Sequence, residues 1–151
     1  MSTSEDVKLL YAAGVAYYDA ALLIDRNPSS KGRDHLILPT HNSIGLSIEM
    51  LFKAVLKHKG FSEKCLRNSK FGHNLSALKA KAQEQNFVTS ITGIIDIIDH
   101  IGTDYTHHHF RYPRAKSELK KVDVTAALKA VDRFIDEIAN EIGLQLRPES
   151  H

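Results

Sequence analysis

One cysteine among 151 residues, Cys65, leaves no possibility of an internal disulfide. That excludes a stapled small-domain fold and points to a reducing cytoplasm. Cys65, beside Leu66 in a helical stretch, reads as a small packing residue. Long apolar runs are also missing. No stretch approaches the roughly 18 consecutive apolar residues of a membrane span, so none is expected. The opening "MSTSEDVKLL" has no basic segment followed by an apolar one, so it does not resemble a signal peptide. Charge of one sign is scarce too. A net charge of +2 does not announce a nucleic-acid binder, and any basic patch must come from local clustering.

Several catalytic signatures are absent as well. The chain has no HExxH, no CxxC and no paired-histidine helix for zinc. It has no G-x-S-x-G elbow, and "SSKG" at 29–32 has neither Walker nor Rossmann spacing. Neither a metal nor a cofactor is expected.

What remains is helical periodicity in a chain of ordinary globular composition, 42% hydrophobic and 25% charged. A chain of this length reads as one domain able to bury roughly 70% of its unfolded surface. Val7, Leu10, Tyr11, Gly14, Tyr17, Tyr18, Ala21 and Leu22 recur at three- and four-residue spacing, after Ser4 as N-cap and Glu5 and Asp6 as an acidic first turn. "DRNPSSKGRD" (25–34) stops that helix. A second helix has Pro39 in its first turn, a core stripe of Ile44, Ile48, Leu51, Phe52 and Val55, and an end at Gly60. Ser62 caps a short turn, and Asn74 caps a third helix, "LSALKAKAQEQ".

"ITGIIDIIDHI" is rich in β-branched residues, which suit a strand, but its apolar positions keep three-four spacing and predict a fourth helix. The last helix runs from about Val124 to Ile142 with Asp123 as cap and Leu128, Val131, Ile135, Ile138 and Ile142 inward. A polar tail covers 145–151. The prediction is an all-α antiparallel up-and-down bundle of four to five helices. The isoleucine face of the fourth helix, with Ile97 extending it, is broader than one neighbour needs, which points to a dimer through that helix.

"THHHFRYPR" (106–114) is the most unusual stretch. On a helix, three adjacent histidines diverge; in an extended segment His107 and His109 share a face, yet two further ligands for a metal are lacking. An acid–base or anion-binding site is the better chemical reading. Histidine exchanges protons near neutral pH, arginine holds phosphate through a bidentate fork, and Phe110 or Tyr112 can stack on a base. The competing reading is that Phe110 packs on the core while the polar residues face water. Glu49 and Lys53, spaced i, i+4, read as a surface ion pair, and His73 reads as a loop residue bonded to backbone.

Three stretches in order, "SIEMLFKAVLKHKGFS", "FGHNLSALKAKA" and "HFRYP", resemble HEPN-domain proteins, in the branch with Gly-His-Asp-Leu-like and Arg-Tyr-Pro motifs. The likeness spans about residues 7–142. It implies a helical bundle that forms a symmetric homodimer, found in toxin–antitoxin and defence systems beside a nucleotidyltransferase-like antitoxin. Many HEPN domains are metal-independent endoribonucleases whose Arg and His have four to six residues between them and meet across the dimer. Others bind nucleotides or act as protein–protein modules. Arg67 and His73 fit that spacing but lie between the second and third helices. After the fourth helix the order is reversed, His before Arg. The resemblance thus implies a nucleotide- or RNA-phosphate-binding module with His73, His107, His109, Arg111 and Tyr112 as ligand residues. If it is catalytic, either Arg67 with His73, or Arg111 with His107 or His109, carries the chemistry.

Overall fold

Residues 3–68, 70–113 and 119–148 are described in the computed structural model of the chain. Among the described residues six α-helices follow one another: α1 (Glu5–Arg26), α2 (Ile37–His58), α3 (Glu63–Arg67), α4 (Leu75–Glu84), α5 (Thr92–Thr106) and α6 (Val124–Ile142). Two short 3-10 turns, Pro28–Ser30 and Asp34–Leu36, join α1 to α2. No strand occurs among the described residues, so the isoleucine-rich segment is a helix.

The helix starts follow from their capping residues. The Ser4 side chain accepts the Val7 N–H, Ser62 that of Cys65, Asn74 that of Ala77 and Asp123 that of Ala126. Each such cap contributes about 1 kcal/mol by satisfying a donor that the helix leaves free.

Side-chain pairs fix the relative directions of the long helices. α1 and α2 are antiparallel: Ser47 donates to the Gly14 carbonyl at 2.6 Å, Leu10 and Lys53 line one cleft toward one end, and Ile24 and Thr40 line another toward the other. α2 and α6 run the same way, with Phe52 against Phe134 and Lys59 paired with Glu141. α5 opposes α6, because Gly93 lies on Ala130 while the Glu137 carboxylate receives Ser90. The result is an up-and-down arrangement of α1, α2, α5 and α6, with α3 and α4 inserted between the second and third of these. α2 is the axis of the molecule. Its Ile44, Ile48, Leu51, Phe52 and Val55 are all buried, as are Leu128, Val131, Ile135, Ile138 and Ile142 of α6.

Three expectations change. Tyr17, placed in the α1 core stripe by its spacing, is exposed. Ile97 is only 3% exposed within the single chain, so it serves packing between α5 and its neighbours. α1 is, by length and composition alone, apolar enough to cross a membrane. Counting consecutive apolar residues misses this, since Lys8 and Asp19 interrupt the run without making it polar. The polar tail after α6, as far as it is described, is tied to the bundle. Arg147 pairs with Asp132 at 2.8 Å and lies over the Tyr18 ring, although residues 149–151 fall outside the described segment.

Candidate functional site

Glu49 is the pivot. It sits in the middle of α2, 1% exposed, and its carboxylate receives three donors. Lys53 Nζ lies 2.7 Å from Oε2, while His73 Nδ1 at 2.8 Å and the Tyr105 hydroxyl at 2.6 Å both reach Oε1. The pair read from sequence as surface decoration is therefore buried, because the turn before α4 and the end of α5 close over it. A buried carboxylate tolerates that position only when several charged or strongly polar donors replace water.

Each donor is delivered by local structure. Lys53 follows Glu49 by one helical turn. His73 is presented by the Phe71–Asn74 turn, which Asn68 ties down by accepting the Lys70 and Phe71 N–H groups. Thr106 then donates to the His73 carbonyl, locking that turn to the end of α5. Tyr105 reaches Glu49 because position 45, one turn earlier on α2, is glycine. A methyl group there would run into the tyrosine ring. Burial, and then the negative charge of Glu49, push the Tyr105 phenol well above its ordinary range, so it is a fixed hydrogen-bond donor.

The histidine run is neither extended nor helical: it is the cap of α5. His107 is the C-cap residue. His108 N–H returns to the Tyr105 carbonyl and His109 N–H to that of Asp104, with His108 in the left-handed region at φ 60°. These are the two bonds of a Schellman motif. α2, α4 and α6 end in the same pair of bonds, but their left-handed positions are Gly60, Asn86 and Gly143, residues that adopt it readily. Only α5 places histidine there.

The turn sends His107 and His109 to one side, where their rings stack at 5.7 Å, and throws His108 to the other. His109 donates through Nδ1 to Asp104, whose second oxygen accepts the Lys120 N–H. Burial alone would raise the Asp104 carboxyl, but these hydrogen bonds outweigh it and hold the group below the usual range. His109 thus fastens the chain beyond α5.

His108 meets His73 edge-on, centroids 4.8 Å apart, and its Nδ1 receives Arg111 Nη2 at 3.0 Å. Burial and the Arg111 charge push His108 below the usual histidine range, favouring the neutral ring. Arg111 in turn lies over Tyr112, which is 71% exposed. Phe110 is buried, as the packing reading of that residue expects. It lies on a further buried ring, His41, whose Nδ1–H donates to the Ile37 carbonyl and whose Nε2 accepts the Val122 N–H.

A cleft of about 490 Å³ opens beside Glu49. Leu10, Met50 and Leu66 give it apolar walls, and Lys53, Arg67 and His73 line it. Arg67 is mostly exposed, holding Glu63 at 3.3 Å. With Nδ1 committed to Glu49, His73 has Nε2 as its remaining nitrogen, and no hydrogen bond among the described residues occupies it. The structure therefore brings Arg67 and His73 to one cleft and joins Arg111 to His73 through His108. It does not bring His107 or His109 to His73. Sequence reasoning passed over Glu49, Tyr105 and His108 as site residues; the i, i+4 spacing of Glu49 and Lys53 was the one available signal. Among the described residues no group of three or more His, Cys, Asp or Glu side chains is arranged to hold a metal ion. No family model matches the chain, and neither the curated proteins nor the solved structures contain a significant match to it.

Proposed function

We propose that this chain is a HEPN-like module that binds the phosphate of a nucleotide or of RNA in the Lys53–Arg67–His73 cleft. The observation that carries the reading is the buried Glu49 carboxylate. It orients His73 with Nε2 free and holds Lys53 in the lining of the same cleft. Arg67 supplies a guanidinium that can leave exposed Glu63 for a phosphate, since a solvated ion pair of that kind contributes little. Arg111 extends the positive rim through His108, and exposed Tyr112 offers a face on which a base can stack. In this arrangement His108 takes the place first given to His107 and His109. The setting that the family resemblance implies is a toxin–antitoxin or defence system.

The test is fluorescence polarisation with a labelled single-stranded RNA, and competition by free nucleotides, at low and moderate salt. Affinity should fall as salt rises, because part of it comes from cation–phosphate attraction. Arg67→Ala and His73→Ala should each weaken binding about tenfold, a loss of about 1.4 kcal/mol. Absence of binding at low salt, or variants that bind as the wild type does, would sink the reading and leave a protein–protein module, partnered by a nucleotidyltransferase-like protein, as the better one.

A second reading, metal-independent RNA cleavage, is favoured by the His73–Glu49 pairing. A carboxylate on Nδ1 fixes the tautomer in which Nε2 can accept a proton. In that reaction Nε2 takes the ribose 2′-hydroxyl proton and the 2′-oxygen attacks phosphorus. Arg67 steadies the phosphorane, and the 5′-oxygen departs with a proton from water. Cleavage in EDTA that is lost in Arg67→Ala/His73→Ala but kept in Arg111→Ala/His107→Ala would support it. Equal cleavage by all three proteins would assign the activity to a contaminant.

A further inference from the structure

Before entering α6 the chain crosses the N-terminal end of α2 as a strap, residues 119–122, and two titratable side chains hold it by its backbone. Asp104 accepts the Lys120 N–H at 3.0 Å, and His41 Nε2 accepts the Val122 N–H at 3.1 Å. Leu119 and Val122 are half-buried against the core, while Lys120 and Lys121 are exposed.

His41 can hold the strap in one protonation state only. Its Nδ1 lies 2.9 Å from the Ile37 carbonyl, which can only accept, so that nitrogen carries the proton. The Val122 N–H can only donate, so Nε2 must present its lone pair. Both bonds therefore need the neutral ring. In the imidazolium a second N–H faces the Val122 N–H, and the two donors must part. The closed strap also leaves the charge without water, since the ring is 0% exposed and lies 5.5 Å from buried Phe110. Around the ring, Lys120, Lys121 and Asp123 stand on the strap and its end, and Asp34 and His35 on the 3-10 turn before α2. Asp104, Arg111 and the three histidines stand at the end of α5 and on the turn after it. Among the described residues Lys121 is the one whose charge acts on His41, and it opposes the proton.

Little is packed around the strap. Lys121 borders three hollows, of about 300 Å³ toward α1, about 240 Å³ toward α5 and about 600 Å³ toward Pro113. A segment with few close neighbours opens at low cost while the core stays folded.

We infer that residues 119–122 form a strap that mild acid releases from His41 while the rest of the bundle stays folded. A proton on Nε2 breaks the bond to Val122, and the strap moves out to let water reach the ring. The Asp104 anchor outlasts this step. Burial raises that carboxyl, but the hydrogen bonds from His109 and the Lys120 N–H hold it below the usual range. The strap thus swings at Val122 about a fixed Lys120, and the cap of α5 keeps its shape. Burial disfavours the proton in the closed form, so the open form binds it more readily. Opening is therefore promoted as the pH falls below about 6.5, the ordinary histidine value, and is unaffected above it. The strap does not rest on the phosphate-binding reading, and either can fail without the other.

The experiment is amide hydrogen exchange on the full chain, followed by NMR between about pH 7.5 and 5.5. Each rate is divided by that of an unstructured amide at the same pH, which leaves the opening equilibrium. Val122 should be protected at least about tenfold less than Ile48 and Ile135 of the core at every pH. Its protection should fall by up to about tenfold between about pH 6.5 and 5.5. In His41→Gln, whose amide accepts from Val122 and donates to Ile37 but does not titrate, it should stay level. Val122 protection that does not change with pH in the wild type overturns the inference. So does protection equal to that of the core at every pH, since global unfolding alone then exposes His41. An equal fall in His41→Gln overturns it too. The first two outcomes need no variant, so they decide the matter even where His41→Gln does not fold.

Discussion

Glu49→Gln tests whether the buried charge, rather than the shape of the side chain, organises the site. Glutamine keeps the volume but turns one acceptor oxygen into an NH₂ group among donors. Lys53 at 2.7 Å, His73 at 2.8 Å and Tyr105 at 2.6 Å then compete for a single neutral oxygen. Removing one member of a buried ion pair costs about 3–5 kcal/mol, because the other charge stays buried without compensation. Lys53 borders the cleft and can turn toward water, and one good hydrogen bond survives, so we expect a loss of about 2–4 kcal/mol. Against a total of about 5–15 kcal/mol for a domain, that is a large fraction. With a urea slope of about 2 kcal/mol/M, the unfolding midpoint should fall by about 1–2 M while the slope stays constant. Lys53→Met should also destabilise, and the double variant Glu49→Gln/Lys53→Met should recover much of the loss, since paired removal leaves no orphan charge. The assay is urea unfolding followed by far-ultraviolet circular dichroism. A single-variant loss below about 1 kcal/mol, or a double variant at the sum of the singles, would refute the reasoning.

Gly45→Ala should destabilise by about 1–3 kcal/mol through its collision with the Tyr105 ring, read as a lower melting temperature. Phosphate affinity should fall with it, because Tyr105 helps fix Glu49 and hence His73. His108→Gly should do the opposite to stability, raising it by about 0.5–1 kcal/mol as the strain at φ 60° is relieved, while weakening RNA binding; equal or lower stability would show that the left-handed residue is not strained. Buried His41 should give the protein a pH dependence. Desolvation lowers it below its ordinary value of 6.5, against a raising contribution from the Ile37 carbonyl and a further lowering one from Lys121. The unfolded chain then binds the proton more readily. Stability is full above about pH 6.5 and declines as the pH falls through it, by at most about 1.4 kcal/mol per unit. Urea midpoints between about pH 8 and 5.5 should show the decline, and His41→Gln, which can still donate and accept, should flatten it.

The parts of the fold legible in the sequence are those set by contacts within one helix. The bounds of α6 follow from Asp123 and from the spacing of Leu128 to Ile142, and all four side-chain N-caps were readable, because a cap needs only residues three apart. The site was less legible because its meaning lies between elements. An i, i+4 Glu–Lys pair looks the same whether water or protein covers it; what buries Glu49 and Lys53 is a turn near residue 73 and a tyrosine at 105. Gly45 has no local reason to be glycine, and its reason is likewise Tyr105. The isoleucines of α5 were read correctly as helical, but Ile97, taken as surface for a second chain, is buried within this one, where α6, α4 and α2 all pack on α5. Tyr17 of α1 matched the core period yet is exposed, because spacing alone does not say which apolar positions of a helix turn inward.

"THHHFRYPR" illustrates how backbone geometry divides the work of one run of identical residues. Read as a strand, it pairs His107 with His109; read as a helix, it scatters all three. A Schellman cap does neither. It stacks the first and third, lends the third to Asp104 as a fastening, and delivers the second alone to His73. The left-handed backbone at that second position costs about 1 kcal/mol in a residue with a side chain. Glycine or asparagine, used in the equivalent turns of this same chain, would avoid or reduce that cost. A strained histidine whose ring touches another histidine, itself held by a buried carboxylate at the edge of a cleft, is better explained by what the ring contacts than by what the turn requires. If His108 served only to end α5, the glycine variant would be more stable and bind just as well. A loss of binding alongside a gain in stability separates the two explanations.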